Sequence, residues 1–378
     1  MSSNQPVQVI PVQTRADRKR FLEFPWQHYH GDPNWVPPLR TSQQELVNFR
    51  PHPFYENAEI RTYLAVRDRQ VVGRIAAIVD HAHNRYHEEN RGIFGFFESI
   101  NDQTVANALF DACRQWFTEQ GIQDMRGPLN PSMNYECGLL IEGFDTPPTF
   151  MMTYNPDYYQ ALIEGYGFAK VQDMYAYWGN LEMLGGLDEK MHFVAGEALK
   201  RFNLGLRKLD TRHFARDVRT FLDIYNKSLP GQWGFVPLSE GELKHLSGGL
   251  KHLIIPELTS IAEDETGAVG VVFGLLDYNP LIRKIDGRLF PFGFLRLLFG
   301  RKRITRVRLI STNVVPQYQR WGLGLVLMAR MVPEAIEFGL QEAEFSWVLE
   351  SNKLSRGTLE RGGAERIKSY RIFDYHWQ

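Results

Sequence analysis

The sequence is poor in cysteine and has no long apolar run, and both absences limit what kind of protein it encodes. Only Cys113 and Cys137 occur among its 378 residues, and its first 20 residues lack the basic and then apolar blocks of a secretory signal. Sparse cysteine is typical of a reducing compartment, so we expect a cytoplasmic protein. Gly, Pro or charged residues interrupt the apolar stretches well short of the roughly 20 residues that a membrane-spanning helix needs, which predicts no transmembrane segment.

The sequence also lacks a charge excess of either sign. Its 43 Lys and Arg residues stand against 44 Asp and Glu, a formal net charge of -1. Proteins that hold nucleic acid need a basic surface, so nucleic acid is not an expected partner. His81, His83 and His87 lie close together in the chain, but no Cys or carboxylate stands at ligand spacing from them, so no metal site is expected.

The most extensive pattern present is an order of elements that occurs twice. Each half starts with an amphipathic helical pattern, at Arg15–Tyr29 and Phe214–Leu229, and runs through a turn rich in Trp and Pro into a hairpin. A repeat this long indicates duplicated domains and not a solenoid. We therefore expect an α/β protein with two domains, residues 1–178 and 179–378, each a mixed, mostly antiparallel sheet flanked by helices.

Beyond the hairpins, both halves continue through a strand, a long helix, a second strand and a final helix. These predicted elements are Ile93–Glu98, Thr104–Gln120 and Gln123–Arg126 in the first half, and Arg306–Val315, Leu323–Gly339 and Glu344–Leu349 in the second. Gly73 and Gly270 hold corresponding places in the second hairpin strands. The pattern over Leu187–Phe202 predicts a helix that connects the halves.

One strand of the second half runs into a glycine-containing turn, Gln319-Arg320-Trp321-Gly322-Leu323-Gly324. Because glycine has no side chain, backbone N–H groups at Gly322 and Gly324 can converge on an anion at the positive end of the following helix. Arg320 can add a charge-assisted hydrogen bond. The turn has neither the third glycine of a dinucleotide fingerprint nor the Gly-Lys-Ser/Thr of a nucleoside-triphosphate loop. It is either a cradle for another phosphate compound or a helix start that uses glycine for close packing.

This segment resembles the Q/R-x-x-G-x-G/A signature of the GNAT N-acyltransferase superfamily, with the Val-x-Pro-x-Tyr lead-in at Val314–Tyr318. The resemblance covers about Leu204–Tyr375 with the full signature and Val7–Trp178 in element order only. It implies two tandem GNAT-like domains that use acetyl-coenzyme A or a longer acyl-coenzyme A. The residues that it implies for the coenzyme are Val314, Val315, Gln319, Arg320, Trp321, Gly322, Leu323, Gly324 and Asn352.

Within the superfamily, the tandem layout is similar to the bacterial ceramide-synthase-like branch. The segments that carry this similarity are 127–132, 137–140, 147–148 and 151–155. In the first half, the strand that ends at Glu98 is followed by Ser99-Ile100-Asn101-Asp102-Gln103, without the glycine turn. The first half is therefore expected to be a degenerate domain, for the acceptor or for structure, and the second half to be catalytic.

The resemblance implies N-acyl transfer to a primary amine, with backbone N–H groups near Val314 and Val315 polarising the thioester carbonyl. The tyrosine that often protonates the thiolate in this superfamily is replaced by Leu359, which leaves Ser355, Tyr370 or water for that role. Glu350 is the candidate base, and a solvated or capping carboxylate is its alternative. The missing tyrosine also keeps open a second interpretation, a non-catalytic acyl-coenzyme A sensor or scaffold.

Two further segments suggest the kind of acceptor. Met133–Gly138 has no counterpart in the other half, and its Asn134 and Glu136 are candidates for the acceptor site, with a structural plug as the alternative. Residues 288–303 combine Phe and Leu with a terminal basic cluster, a composition that suits peripheral membrane contact or an acyl-chain channel. A segment packed on the core is the alternative. A lipid-like amine is accordingly one expected acceptor, and an ordinary small molecule is the other.

Overall fold

A computed structural model describes residues 6–181, 196–197 and 199–378. Contacts divide the chain into two compact units. The first unit takes in residues up to 174 together with residues 282–293 and 368–378, and the second takes in residues 175–281 and 294–367. The division after residue 174 lies four residues from the expected boundary. The two later segments of the first unit had no counterpart in the sequence-based division.

The strands follow one another in an order that repeats between the halves. They are β1 (Gln8–Pro11), β2 (Ala58–Arg67), β3 (Gln70–Asp80), β4 (Gly92–Ser99), β5 (Asp124–Gly127), β6 (Leu129–Asn130), β7 (Glu136–Cys137), β8 (Leu139–Glu142), β9 (Ala169–Asn180), β10 (Gly205–Arg207), β11 (Thr259–Asp264), β12 (Gly267–Leu276), β13 (Arg306–Val314), β14 (Glu342–Leu349) and β15 (Glu365–His376). The hairpins and the strands that follow them start and end within a few residues of the predicted positions.

The helices include the amphipathic, long and final helix predicted for each half, together with shorter helices. They are α1 (Arg15–His28), α2 (Arg40–Leu46), α3 (His81–His87), α4 (Gln103–Glu119), α5 (Tyr159–Tyr166), α6 (Phe214–Ser228), α7 (Glu240–Leu250), α8 (Asn279–Lys284), α9 (Gly293–Gly300), α10 (Pro316–Gln319), α11 (Leu323–Phe338) and α12 (Lys353–Arg361). No helix in the described part of the chain is both long and apolar enough to cross a bilayer. Most of the expected connecting helix, Leu187–Phe202, lies outside the described residues.

The first unit is built on a mixed sheet. Its strand order is β1-β2-β3-β4-β5-β15, and the pair β4 and β5 is parallel while the other neighbours run antiparallel. β15 also pairs with β8, with Tyr370 opposite Leu140. Phe94, Phe110 and Phe117 are fully buried in the core between the sheet and α4. The sheet is therefore mixed and mostly antiparallel, as the sequence predicts.

The second unit repeats this plan in the strand order β14-β13-β12-β11-β10. The pair β13 and β14 is parallel, and the others are antiparallel. The matching glycines explain how the long helix approaches each sheet. A Cβ on Gly73 would lie 2.9 Å from Leu109 of α4, and one on Gly270 would lie 2.9 Å from Leu327 of α11. Glycine thus allows the same close helix-to-sheet contact in both units.

Candidate functional site

Two parallel strands of the second unit separate part-way along their length. Arg306–Leu309 of β13 pairs with Glu342–Phe345 of β14, while β13 runs on to Val314 and β14 to Leu349. On its other edge β13 remains paired with β12 as far as Val314, which lies opposite Gly270. A gap therefore opens on the β14 side of residues 310–314, where the described residues form no ladder.

The backbone amides at the end of β13 point in alternate directions, as in any antiparallel pair. The N–H of Val315 donates to the carbonyl oxygen of Val269 at 3.0 Å, so the sheet uses this amide. The N–H of Val314 consequently points to the other side, into the gap. Of the two candidate oxyanion donors, Val314 alone is directed there.

The glycine turn lies between β13 and α11, where the sequence predicts it. Gly322 adopts the left-handed backbone conformation with φ of 72° and occupies the N-cap of α11 without a side-chain cap. In the described part of the chain, the N–H groups of Gly322, Leu323 and Gly324 form no hydrogen bond. A Cβ on Gly324 would lie 3.1 Å from the Cγ2 atom of Thr312, so the turn passes close to β13. Three free donors at the positive end of a helix are what an oxyanion of a diphosphate requires.

The remaining residues of the signature have different environments. Gln319 is structural, because its side-chain Nε2 donates to the carbonyl oxygens of Val314 at 2.9 Å and Ser228 at 3.0 Å. Arg320 is exposed. Trp321 is 40% exposed, and the guanidinium of Arg201 lies 4.2 Å from its ring centroid. Of these three side chains, Arg320 and Trp321 are accessible to a bound molecule and Gln319 holds the turn on the strand.

A buried polar network that the sequence did not reveal lies where β13 and β14 part. Nε of Arg308 donates to Oγ of Ser346 at 3.0 Å, and that hydroxyl donates to Oε1 of Glu344 at 2.8 Å. The exposures of Arg308, Ser346 and Glu344 are 2%, 4% and 1%. Polar residues at inward positions of an otherwise apolar strand were the available signal, because such groups are buried only with partners.

The candidates that follow β14 lie around the start of α12. Asn352 is the N-cap of this helix, and its Oδ1 accepts from the N–H of Ser355 at 3.1 Å. Glu350 is partly buried, and its carbonyl oxygen accepts from Arg356 at 3.0 Å. Leu359, at the position of the family tyrosine, is on the same helix. The structure thus gives Asn352 a capping role and leaves the assignment of a coenzyme contact to Asn352 as a prediction.

The other candidates belong to the first unit. Tyr370 is fully buried in β15. Asn134 and Glu136 are partly buried in the hairpin of β6 and β7, where Asn130 pairs with Glu136. Their assignment to the acceptor or to proton transfer stays a prediction from the sequence.

In the first unit, the gap that corresponds to the one beside β13 is filled by the chain itself. β4 pairs with β5 at Ile93 and its neighbour Gly92 but continues to Ser99. The segment after β5 turns back into the gap, and Oδ1 of Asn130 accepts from the N–H of Phe96 at 2.6 Å. A Cβ on Gly95 would lie 1.9 Å from the carbonyl oxygen of Leu129, so the filling is tight.

The long helix of the first unit also starts differently. Asp102 is the N-cap of α4, and its carboxylate accepts from the N–H of Thr104 at 2.8 Å and from Arg67 at 2.8 Å. The pKa of Asp102 lies below its usual value, because the hydrogen bonds of Arg67 and Thr104 outweigh the burial that would raise it. A carboxylate therefore already occupies the anion position that Gly322 leaves open in the second unit.

Comparison with known proteins identifies full-length relatives, although no protein-family model matches the chain. The chain is 34% identical over 383 residues to the bacterial ceramide synthase of Caulobacter vibrioides, covering 99% of this chain and 98% of the relative. It is also 34% identical over 369 residues to protein YghO of Escherichia coli K12, covering 95% and 93%.

Solved structures share the fold at low sequence identity. A tandem GNAT protein from the clavulanic acid biosynthesis pathway matches with a TM-score of 0.58 and 10% identity, over 98% of both chains. A GCN5-related N-acetyltransferase from Sphaerobacter thermophilus matches with a TM-score of 0.52 and 12% identity, over 98% of this chain and 95% of that one. These likenesses establish a tandem arrangement of the fold.

Proposed function

The chain belongs to the tandem-domain branch of the GNAT acyltransferases that contains the bacterial ceramide synthase, and from this premise we propose that it moves an acyl group from acyl-coenzyme A to a primary amine. A lipid-like amine is the acceptor we favour, because the relative that this chain matches over nearly its whole length is named a ceramide synthase. Ceramides are fatty-acid amides of long-chain amino alcohols, so a fatty acyl group is favoured over acetyl. We place this reaction in the cytoplasm.

The observation that carries the proposal is the contrast between the two units. In the second unit, the N–H groups at Gly322, Leu323 and Gly324 have no hydrogen-bond partner among the described residues, and the amide of Val314 faces an open gap. In the first unit, the carboxylate of Asp102 accepts from the N–H of Thr104 at the start of α4, and the hydroxyl of Tyr159 accepts from the N–H of Ser99, which lies opposite Gly73 as Val314 lies opposite Gly270. This contrast supports one coenzyme site for each chain, on the second unit.

The reaction needs few groups from the protein. The amine nitrogen attacks the carbonyl carbon of the thioester, a C–N bond forms and the C–S bond breaks. The Val314 N–H would hold the carbonyl oxygen as it becomes negative. One proton leaves the nitrogen, for which Glu350 is the proposed base, and one reaches the departing thiolate, for which Ser355 is the proposed donor from the second unit.

Two variants of the same helix test the site. Gly322→Glu places a carboxylate in the cradle, whereas Gly339→Glu places one at the other end of α11, where φ is also positive at 96° and no atom lies within 4 Å of an added Cβ. Both substitutions impose backbone strain. We expect acyl-coenzyme A to raise the melting temperature of the wild type and of Gly339→Glu, and not of Gly322→Glu.

Turnover is measured by thiol release with a panel of short and long-chain primary amines. Thiol release by the wild type with at least one amine, and its loss in Gly322→Glu, is the expected result. Thermal stabilisation without thiol release for any amine would favour the sensor or scaffold function instead. If neither acetyl-coenzyme A nor a fatty acyl-coenzyme A changes the melting temperature, both the acyltransferase and the sensor or scaffold function would be refuted.

A further inference from the structure

A groove with basic walls lies between α1 and α2 of the first unit. Its volume is about 310 Å³, and its walls include Arg15, Arg18, Lys19 and Arg40 with a single acidic residue, Glu23. Arg15, Arg18 and Lys19 are exposed and lie at helical spacing on one face of α1. The groove therefore presents an excess of positive charge, although the whole chain carries a net charge of -1.

Two of these cations have no acidic partner within the described part of the chain. Arg15 and Arg18 form no ion pair with any residue that the structure describes, and the guanidinium of Arg18 lies 5.3 Å from the ring centroid of Phe49. Lys19 pairs only loosely with Glu23, at 3.9 Å. Neighbouring like charges without counterions repel each other, so an anion in the groove would be stabilised there.

A loop with two exposed phenylalanines lies next to this groove in the same unit. Asp286 fixes the loop, because it accepts from Nε1 of Trp26 at 2.7 Å and from Arg40 at 2.7 Å, and both of these residues line the groove. Phe290 and Phe292 follow on the loop and are 74% and 73% exposed.

The loop closes on itself tightly. A Cβ on Gly293 would lie only 1.9 Å from the carbonyl oxygen of Arg288, so the chain between them makes a narrow turn that carries Phe290 and Phe292. Arg288 is itself 66% exposed. Two large aromatic side chains displayed on one short turn cost hydration free energy unless something apolar covers them.

We propose that the groove and the adjoining turn form a docking surface for an anionic phospholipid bilayer. Arg15 and Arg18 would take lipid phosphates in the groove while Phe290 and Phe292 enter the interface. The combination of unpaired cations with protruding aromatic rings matches the two forces that hold a peripheral protein on a membrane, electrostatic attraction and burial of apolar area. The proposal does not depend on the acyl-transfer reaction, since binding to a membrane can be measured without turnover.

Co-sedimentation of the full chain with vesicles tests this surface. The vesicles contain phosphatidylcholine alone or an equal mixture of phosphatidylcholine and phosphatidylglycerol. We expect the wild type to sediment with the anionic vesicles only. The double variant Arg15→Gln/Arg18→Gln should bind roughly 30-fold more weakly, since each basic residue near such a surface contributes about 1 kcal/mol. Phe290→Ser/Phe292→Ser should bind at least about tenfold more weakly, because it removes the apolar insertion.

A charge-matched control lies on the opposite face of the same sheet. In β3, Gly73 faces α4 while the adjacent Arg74 reaches the carbonyl oxygen of Phe21 in α1, so the two helices cover opposite faces. Arg61 and Arg114 pair with acidic residues of α4. Arg61→Gln/Arg114→Gln should therefore sediment like the wild type.

Three results would overturn the proposal. The first is no sedimentation of the wild type with anionic vesicles, even if inorganic phosphate raises its melting temperature. The second is equal loss of binding in the Arg61→Gln/Arg114→Gln control. The third is full binding by Phe290→Ser/Phe292→Ser, which would leave only electrostatic adsorption. Melting curves of each variant exclude unfolding as the cause of a loss.

Discussion

At the point where β13 and β14 part, single buried side chains have structural roles that their sequence positions do not reveal. The hydroxyl of Ser346 accepts from Arg308 and donates to Glu344, and all three groups are almost fully buried. A buried charge is tolerated only when hydrogen bonds satisfy it. Ser346 is therefore expected to hold both charged neighbours in place at the vertex of the gap.

Replacing this hydroxyl should be costly for stability. Ser346→Ala leaves two buried charged groups without their shared partner, so the free energy of unfolding should fall by about 1–3 kcal/mol in urea titration. Ser355→Ala is the control, because the backbone N–H of Ser355 and not its hydroxyl bonds to Asn352. Equal stability of the two variants would show that the network is not structurally important.

His83 should make stability depend on pH. Burial lowers its pKa to about 4 from the usual 6.5 and outweighs the hydrogen bond to Glu89, whose carboxylate lies 3.1 Å from Nε2. Because the unfolded chain binds the proton more tightly, the contribution of neutral His83 is full above pH 6.5 and is lost as pH falls toward about 4.

Between pH 6.5 and about 4, the free energy of unfolding should fall by roughly 3 kcal/mol because of His83. Unfolding titrations at a series of pH values measure it, and His83→Gln should flatten the profile there. His81→Gln, at an exposed position, should keep the wild-type slope. A His83→Gln profile as steep as that of the wild type would contradict the assignment.

At the scale of elements, the two matching glycines are not equally sensitive. A Cβ on Gly73 would meet the backbone oxygen of Glu98 at 2.9 Å, whereas one on Gly270 would meet a terminal methyl group of Leu327 at 2.9 Å. Backbone cannot move as a leucine methyl can. Gly73→Ala should therefore cost about 1–3 kcal/mol in unfolding free energy, and Gly270→Ala less than about 1 kcal/mol. Denaturant titration of both variants compares them, and the reverse order would be inconsistent with the packing.

Most elements of the fold could be predicted because periodicity and turn residues act over short stretches of chain. The long helices and the hairpins formed close to their predicted bounds. β15 was missed, because its charged residues obscure the alternation expected of a strand. Arg371 pairs with Asp173 at 2.8 Å, and Lys368 donates to the carbonyl oxygen of Thr146 at 2.8 Å. Partners so distant in sequence cannot be found in a local pattern.

Part of the candidate site could likewise be predicted from the sequence, and part could not. The glycine turn was predicted, since Gly322 combines a helix start with a conformation that favours glycine. The sequence did not predict that the Val314 amide is available and the Val315 amide is not, because this depends on which neighbour each amide faces in the sheet. The network of Arg308, Glu344 and Ser346 likewise exists only after two strands have paired.

At the scale of the whole molecule, each unit depends on segments from more than one part of the chain. The last residues of the chain belong to the first unit, where β15 pairs with β5 from Phe373 opposite Gly127. Asp374 accepts from Nε of Arg126 at 2.8 Å and also pairs with Arg91. Without this strand, β5 would have an unpaired edge and both arginines would lose one of their carboxylate partners.

Removal of residues 371–378 should accordingly destabilise the first unit by on the order of 5 kcal/mol. Differential scanning calorimetry should show its unfolding transition shifted to much lower temperature or lost. Removal of Gln378 alone should leave the transition in place. A chain that ends at residue 370 and melts like the wild type would mean that β15 contributes little to this unit.

The position of β15 also constrains how the protein is made. A ribosome synthesises residues 6–174 long before residues 368–378, which supply the strand beside β5. The first unit must therefore wait, with one sheet edge open, until residues 368–378 have been synthesised. Folding of the first unit can begin early on the nascent chain, but its completion requires the synthesis of β15.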